Sequence, residues 1–244
     1  MIEDVAVENL TEIRDVFHKI DVEFWLDHGT LLAAVRDGKI IEWDSDVDLG
    51  TWYDNTKQIL SALGEFKKRR FTTVLNSKRG NLGVKRDGCY VGVSLYRERG
   101  NCAWTVPPVF LRELNRVEKL LNWWMNVSTP ITYTTPEGKF LRRSGPFLSL
   151  VPLTLKQHLA DITWSILDRR GCIIPLMIPK HYFEDLSIIE FYGIEFDIPS
   201  NVEQYLEYRY GSSWKIPTKK WKYKDNGAMS AEIRLCDFNS SLYE

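Results

Sequence analysis

Cysteine is scarce and scattered in this chain. Four residues in 244 are cysteine, at positions 89, 102, 172 and 236. No C-x-x-C pair occurs, which speaks against a zinc ribbon and a thioredoxin-type motif. Long apolar runs are missing as well. No stretch of about 18 apolar residues is present, so no membrane span is expected. The opening MIEDVAVENL has neither a basic start nor an apolar core, so no signal peptide is visible. Together these absences lead to the expectation of a reduced, cytoplasmic protein. Excess charge of one sign is missing too. A formal net charge of -1 gives no electrostatic reason to expect nucleic acid or an anionic membrane surface as partner. No internal repeat, low-complexity tract or clear linker divides the chain.

What is present fits a soluble globular protein. Hydrophobic residues make up 44% and charged residues 27%, and the length allows one large domain or one domain with an appendage. Aromatics are abundant, with nine tryptophans. A packed core accounts for most of them, although clefts that stack rings or sugars use them as well.

The periodicity predicts a helix over residues 3–20, with Leu10, Ile13, Phe17 and Ile20 on one face. Residues 22–26 read as a short buried strand. Residues 31–36 form a helix that stops at Gly38, and Asp46–Gly50 forms a second strand. A helix follows over 55–70, with Ile59, Leu60, Leu63 and Phe66 as its stripe. Residues 71–75, 82–86 and 89–96 read as strands, with Asp87-Gly88 as a type I′ hairpin turn. Further on, a strand is expected over Ile131–Thr134, a helix over 155–170, a strand or hairpin arm over 191–198, and a helix over 202–210 stopped at Gly211. The pattern is that of an α/β or α+β domain. Val106 to Pro108 is the candidate boundary between a catalytic core, residues 1–106, and a C-terminal part, residues 107–244, that completes the cleft.

The informative stretch runs from Trp25 to Gly50, WLDHGTLLAAVRDGKIIEWDSDVDLG. Gly29-Thr30 lies between a strand and a helix. A glycine there lets the backbone approach a ligand closely, the Thr hydroxyl can donate, and the helix start offers N–H groups and a positive dipole end. Capping alone would also explain a Gly-Thr pair. Farther along, Asp46 and Asp48 stand two apart on a strand and so share a face. Paired carboxylates repel, and a divalent cation with a taste for hard oxygen ligands removes that cost. Asp44 is a third candidate ligand or shapes the entry turn. An isolated D-x-D-x-D can equally be a solvated acidic turn, but Ile40-Ile41, Val47 and Leu49 anchor this one to a buried strand.

Trp25-Leu26, Gly29-Thr30-Leu31-Leu32, Arg36, Gly38, Ile40-Ile41, Trp43-Asp44, Asp46 and Asp48 together resemble the signature of the LicD family, which includes fukutin and the fukutin-related protein. Ile198-Pro199, Tyr205-Leu206, Tyr210-Gly211 and Pro217 are similar to that family's C-terminal signature. The resemblance implies a nucleotidyltransferase fold, with a mixed sheet flanked by helices and a mostly helical C-terminal substrate-binding part. It also implies a phosphotransferase that moves a phospho-alcohol, of the phosphocholine or phosphoribitol type, from a CDP-linked donor to a glycan or glycolipid acceptor. On that basis Asp46 and Asp48 hold Mg²⁺ or Mn²⁺, Asp44 joins them, and Gly29, Thr30 and Arg36 meet phosphate. Arg36 can equally pair with Asp44 or Asp46 to order the site. Two other readings stay open: a nucleotidyltransferase of the same fold that keeps the nucleoside monophosphate on its product, and a lapsed enzyme that still binds nucleotide or glycan. The second is fed by one departure. The family places an acid on a later strand, and here the matching position is Gly92, with Glu98 and Asp87 the nearest substitutes in sequence. Trp123-Trp124 and the basic-aromatic run Lys219 to Lys224 read first as packing and as a solvated tail or phosphate clamp.

Overall fold

The computed structural model describes residues 3–76, 80–106, 114–127, 152–170, 172, 175–219, 221 and 226–230. The chain gathers into two compact units, residues 1–107 with 175–244, and residues 108–174. The expected strand at Ile131–Thr134 and the stretch Lys222 to Lys224 lie outside the described residues.

In the first unit, α1 (Glu3–Lys19) buries Ala6, Leu10, Ile13, Val16 and Phe17, and its acidic first turn and basic last turn suit the helix dipole. Phe17 meets Phe24 and Phe66 edge-on, with ring centroids 5.3 and 6.1 Å away. The elements that follow are β1 (Phe24–Leu26), α2 (His28–Arg36), β2 (Asp46–Trp52), α3 (Thr56–Ser61), α4 (Leu63–Lys68), β3 (Thr72–Asn76), β4 (Asn81–Arg86), β5 (Cys89–Arg99) and β6 (Cys102–Thr105). The strands run in the order β1-β2-β5-β4-β3, and β6 continues from β5. Among the described strand pairs only β2 and β5 are parallel, in register from Asp46↔Tyr90 through Asp48↔Gly92 to Trp52↔Tyr96. A parallel pair needs a crossover, and α3, α4, β3 and β4 fill it. Asp87 and Gly88 both have positive φ, 49° and 82°, the type I′ geometry the sequence predicts.

The same unit takes up the C-terminal residues: β7 (Leu176–Pro179) on β6, the hairpin β8 (Leu186–Phe191) and β9 (Ile194–Pro199), α7 (Val202–Tyr210) and the short α8 (Gly227–Ser230). In the second unit, α5 (Arg116–Val127) packs with α6 (Leu153–Arg169). Asn115 and Glu118 cap the start of α5 reciprocally, each side chain accepting the other's N–H at 3.0 Å. Trp123 and Trp124 fall within α5.

Two expectations are corrected, the single helix over 55–70 and the reduced state of every cysteine. The helix over 55–70 is two, broken at Ala62, whose N–H is shared among the carbonyls of Gln58, Ile59 and Leu60. The break brings Ile59 and Phe66 into the core and leaves Leu60 half exposed. The hairpin arm expected over 191–198 is there, as the turn and second arm of the β8–β9 hairpin. Tyr192 and Gly193 take left-handed φ of 55° and 74°. Tyr192 is not a turn-forming residue by type; it is fixed there because its hydroxyl accepts the Ile40 N–H at 2.8 Å and donates to Glu3. Finally, Cys102 is disulfide-bonded, against the reduced state expected of all four cysteines; spacing in sequence does not disclose pairing in space. No helix among the described residues is long and apolar enough to cross a membrane.

Candidate functional site

The site forms where β1 turns into α2 and meets β2. Asp27 caps α2, accepting the His28 N–H at 2.8 Å. Two hydrogen bonds fasten this turn to β2. The Asp27 N–H donates to the Asp48 carbonyl at 3.1 Å. The Thr30 hydroxyl accepts the Asp48 N–H at 2.8 Å. The Gly29 N–H faces the Asp48 carboxylate and favours its charged form. Gly29 leaves room for these acids: a Cβ there would lie 2.5 Å from Asp44 Oδ2, which would have to swing aside, and 3.8 Å from Asp48 Oδ2. The Gly29-Thr30 turn therefore lies against Asp44 and Asp48 at the start of the helix.

The electrostatics of these acids are unbalanced. Burial, and then the charge of Asp46, pushes the Asp44 carboxyl up to about 7. Burial, followed by the charges of Asp46, Asp44 and Asp27, carries Asp48 well above the usual carboxylate range. Such a cluster is suited to a hard divalent cation. Among the described residues no three His, Cys, Asp or Glu side chains close around one point as a full metal cage. A grip by two carboxylates, completed by water and ligand phosphates, is the usual manner for Mg²⁺, and Asp46 and Asp48 fit it.

Arg36 goes elsewhere. Its guanidinium forks onto Asp37 at 2.9 and 2.7 Å and reaches the Trp214 carbonyl at 3.4 Å, rather than pairing with Asp44 or Asp46. Gly92 stands beside Asp48 in register, and a Cβ on it would lie 3.5 Å from Asp48 Oδ1 and 3.4 Å from Tyr90 Cε1. The space left by the missing acid is thus bordered by the Tyr90 ring. Neither sequence substitute comes near: Glu98 pairs with Lys180 at 2.8 Å beyond the β2–β5 ladder, and Asp87 sits exposed in the hairpin turn.

Sequence reasoning missed a second cluster directly behind the turn. Asp27 is fully buried and accepts the Tyr96 hydroxyl at 2.6 Å, the Tyr205 hydroxyl at 2.9 Å and Arg209 Nη1 at 3.2 Å. Arg209, equally buried, also contacts His28 Nδ1 at 2.7 Å and Asn226 Oδ1 at 3.1 Å. Burial, and then the Arg209 charge, holds the His28 imidazole down at about 4 against the pull of Asp27. His28 has a φ of 45°, a conformation costing a non-glycine residue about 1–3 kcal/mol unless its surroundings enforce it. Tyr210, raised by burial, feels the charges of Asp48, Asp27 and Asp44, so α7 ends beside the acids. Lys219 Nζ lies 4.7 Å from the ring of the half-exposed Trp43, next to Asp44. The one signal in sequence was the Tyr205 to Gly211 segment, which names a motif but not Arg209's part in it.

A Gly-Thr turn into a helix, followed by a D-x-D strand in a mixed sheet flanked by helices, defines a nucleotidyltransferase domain. Residues 21–136, just under half of the chain, match the LicD/FKTN/FKRP nucleotidyltransferase domain, so this segment is similar to the LicD family. Ribitol 5-phosphate transferase FKRP of Homo sapiens, like that of Mus musculus, is 48% identical over 48 residues, 20% of this chain and 10% of the relative. An uncharacterized protein of Rickettsia prowazekii is 29% identical over 63 residues, 26% of this chain and 24% of the relative. The matches thus span about a quarter or less of these relatives' length. A lincomycin-bound lincosamide antibiotic adenylyltransferase shares 10% identity over 91% of this chain and 93% of its own, with a TM-score of 0.41, too distant to build on.

Proposed function

We propose that this protein is a Mg²⁺- or Mn²⁺-dependent phosphotransferase that moves a phospho-alcohol from a CDP-linked donor to a glycan or glycolipid acceptor. The observation that carries this reading is the meeting of the Asp44 and Asp48 carboxylates over the Gly29-Thr30 turn. A cation bound by Asp46 and Asp48 would neutralise the donor diphosphate and stabilise charge on the departing nucleotide. The start of α2 offers N–H groups and a positive dipole end to phosphate oxygens. Thr30 keeps Asp48 in line by taking its N–H. The match of residues 21–136 to the LicD domain and the likeness to a ribitol 5-phosphate transferase favour a transferred polyol phosphate, and the half-exposed Trp43 braced by Lys219 offers a ring on which a base or sugar can stack.

A second reading, a protein that binds nucleotide or glycan without turning it over, is favoured by Gly92, which leaves no carboxylate beside Asp48 on β5. One screen separates the two. CDP-, UDP- and ADP-linked donors are tested with Mg²⁺ for thermal stabilisation, and stabilising donors are then followed for release of the nucleotide by mass. At about 100 times its dissociation constant a donor adds roughly 2.7 kcal/mol. Stabilisation by a CDP-linked donor with release of CMP supports the transferase; stabilisation without release supports the binding protein; product retaining the nucleoside monophosphate identifies a nucleotidyl transfer; no Mg²⁺-dependent stabilisation refutes all three.

A further inference from the structure

Resting on the reading of Gly29, Thr30 and Asp48 as the cation-and-phosphate turn, we propose that Arg209 is the positioning residue of that turn, acting through Asp27 and His28 and not by touching a ligand. Its guanidinium has no exposed surface, so it cannot meet a substrate. Its three arms are each committed to the turn or to the segment behind it: Nη1 to Asp27 Oδ1 at 3.2 Å, Nη2 to His28 Nδ1 at 2.7 Å and Nε to Asn226 Oδ1 at 3.1 Å. A guanidinium only donates. His28 Nδ1 must therefore be the lone-pair nitrogen, and the imidazole is neutral with its proton on Nε2.

The backbone shows why two adjacent residues are gripped by one cation. Asp27 is extended, at φ -135° and ψ 173°, and His28 is left-handed at φ 45°. This pair of conformations turns the chain so that Thr30 Oγ1 accepts the Asp48 N–H at 2.8 Å and the Gly29 N–H faces the Asp48 carboxylate. A His28 that relaxed to negative φ would withdraw both. Asp27 is fixed from the other side by Tyr96 and Tyr205. Arg209 adds the link that ties the strained residue to the cap. Lysine cannot replace it, because a single ammonium does not span two acceptors with the fixed geometry of the guanidinium fork.

The test uses the full chain as Arg209→Lys, His28→Gly, the double variant and Tyr205→Phe. In the metal-free protein, nitrogen NMR reads the His28 tautomer and the Gly29 and Thr30 amides; Mn²⁺ alone is then titrated and followed by electron paramagnetic resonance. The wild-type imidazole is expected to carry its proton on Nε2, and a proton on Nδ1 overturns the proposal at once. Arg209→Lys should mix the tautomers, shift both amides and weaken Mn²⁺ binding about tenfold, the usual scale for losing support behind a ligand. Unchanged amides and tautomer overturn it. Glycine tolerates positive φ, so in the His28→Gly background the same Arg209→Lys change should cost much less Mn²⁺ affinity; an undiminished cost overturns it. Should Arg209→Lys fail to fold, Tyr205→Phe, which removes only a hydroxyl bonded to Asp27 and Arg209, decides by the same amide shifts. A wild-type protein that ignores Mn²⁺ refutes the metal-dependent function while the tautomer and amides still decide the positioning role.

Discussion

Asp27 and Asp48 are joined by one backbone hydrogen bond of 3.1 Å, yet they are opposite kinds of buried acid. Burial pulls both upward. At Asp27 the Arg209 charge and the bonds donated by Tyr96 and the His28 N–H outweigh it, and the carboxyl stays below its ordinary range. At Asp48 the neighbours are Asp46, Asp44 and Asp27, and the carboxyl is driven up further; the Gly29 N–H is the opposing influence. A protein that supplies an acid with four donors uses it to build; one that surrounds an acid with other acids keeps it for something that arrives from outside. The contrast separates framework from site more sharply than residue type does, since all four residues are aspartates.

The comparison breaks most visibly at Asp27. Asp27→Ala leaves Arg209 buried without its carboxylate and should cost about 3–5 kcal/mol in urea unfolding; a cost below about 1 kcal/mol would place Asp27 outside the framework. Asp48→Asn should act in the opposite sense. In metal-free protein near pH 8 it should be neutral or stabilising, because it removes a buried carboxylate set among other acids, while Mg²⁺-dependent stabilisation disappears. Loss of the fold in this variant would make Asp48 structural. The pH dependence sharpens the point through Asp44, which keeps its proton up to about 7 when folded but only to its ordinary value when unfolded. The folded state then holds more protons between about 4 and 7, so metal-free wild type should lose stability relative to Asp44→Asn as pH rises through that window, and match it below. Thermal melts at a series of pH values check this, and a difference that grows on acidification contradicts it. The smallest effect is expected for Gly92→Asp. Its Cβ meets only ordinary contacts, so stability with Mg²⁺ should change by less than about 1 kcal/mol, while an added anionic ligand should tighten Mg²⁺ up to about tenfold. Calorimetry showing weaker Mg²⁺ binding would mean that Tyr90 and Asp48 have no room for it.

Half of the site was legible because it is local. Gly29-Thr30 and Asp46-x-Asp48 carry their geometry in their spacing: a glycine between strand and helix, and two carboxylates one pleat apart. The adjacency of Gly92 and Asp48 was legible through family resemblance, and the β2–β5 register places the two side by side. The Asp27–Arg209 link was not, since 182 residues separate its ends and neither periodicity nor composition constrains partners so far apart. Arg36 shows the reverse problem. Its position on α2 was foreseen, but a long side chain at a helix end has several acceptors within reach, and the adjacent Asp37 takes it. The Tyr192-Gly193 turn was hidden because its left-handed tyrosine is enforced by contacts to Glu3 and Ile40 rather than by intrinsic preference.

The span between Asp27 and Arg209 has a consequence in time. At about 5–20 residues per second, a ribosome that has released the first half of this turn needs on the order of ten seconds or more to deliver the second. Throughout that interval β1, α2 and β2 can pair locally, but Asp27 lacks its cation and His28 lacks the donor on Nδ1. The domain is therefore assembled around a vacancy in its polar core that a segment made late must fill. A nascent chain stalled before α7 should expose that gap as a loosened first turn, and the site becomes competent only when the distant end of its own unit arrives.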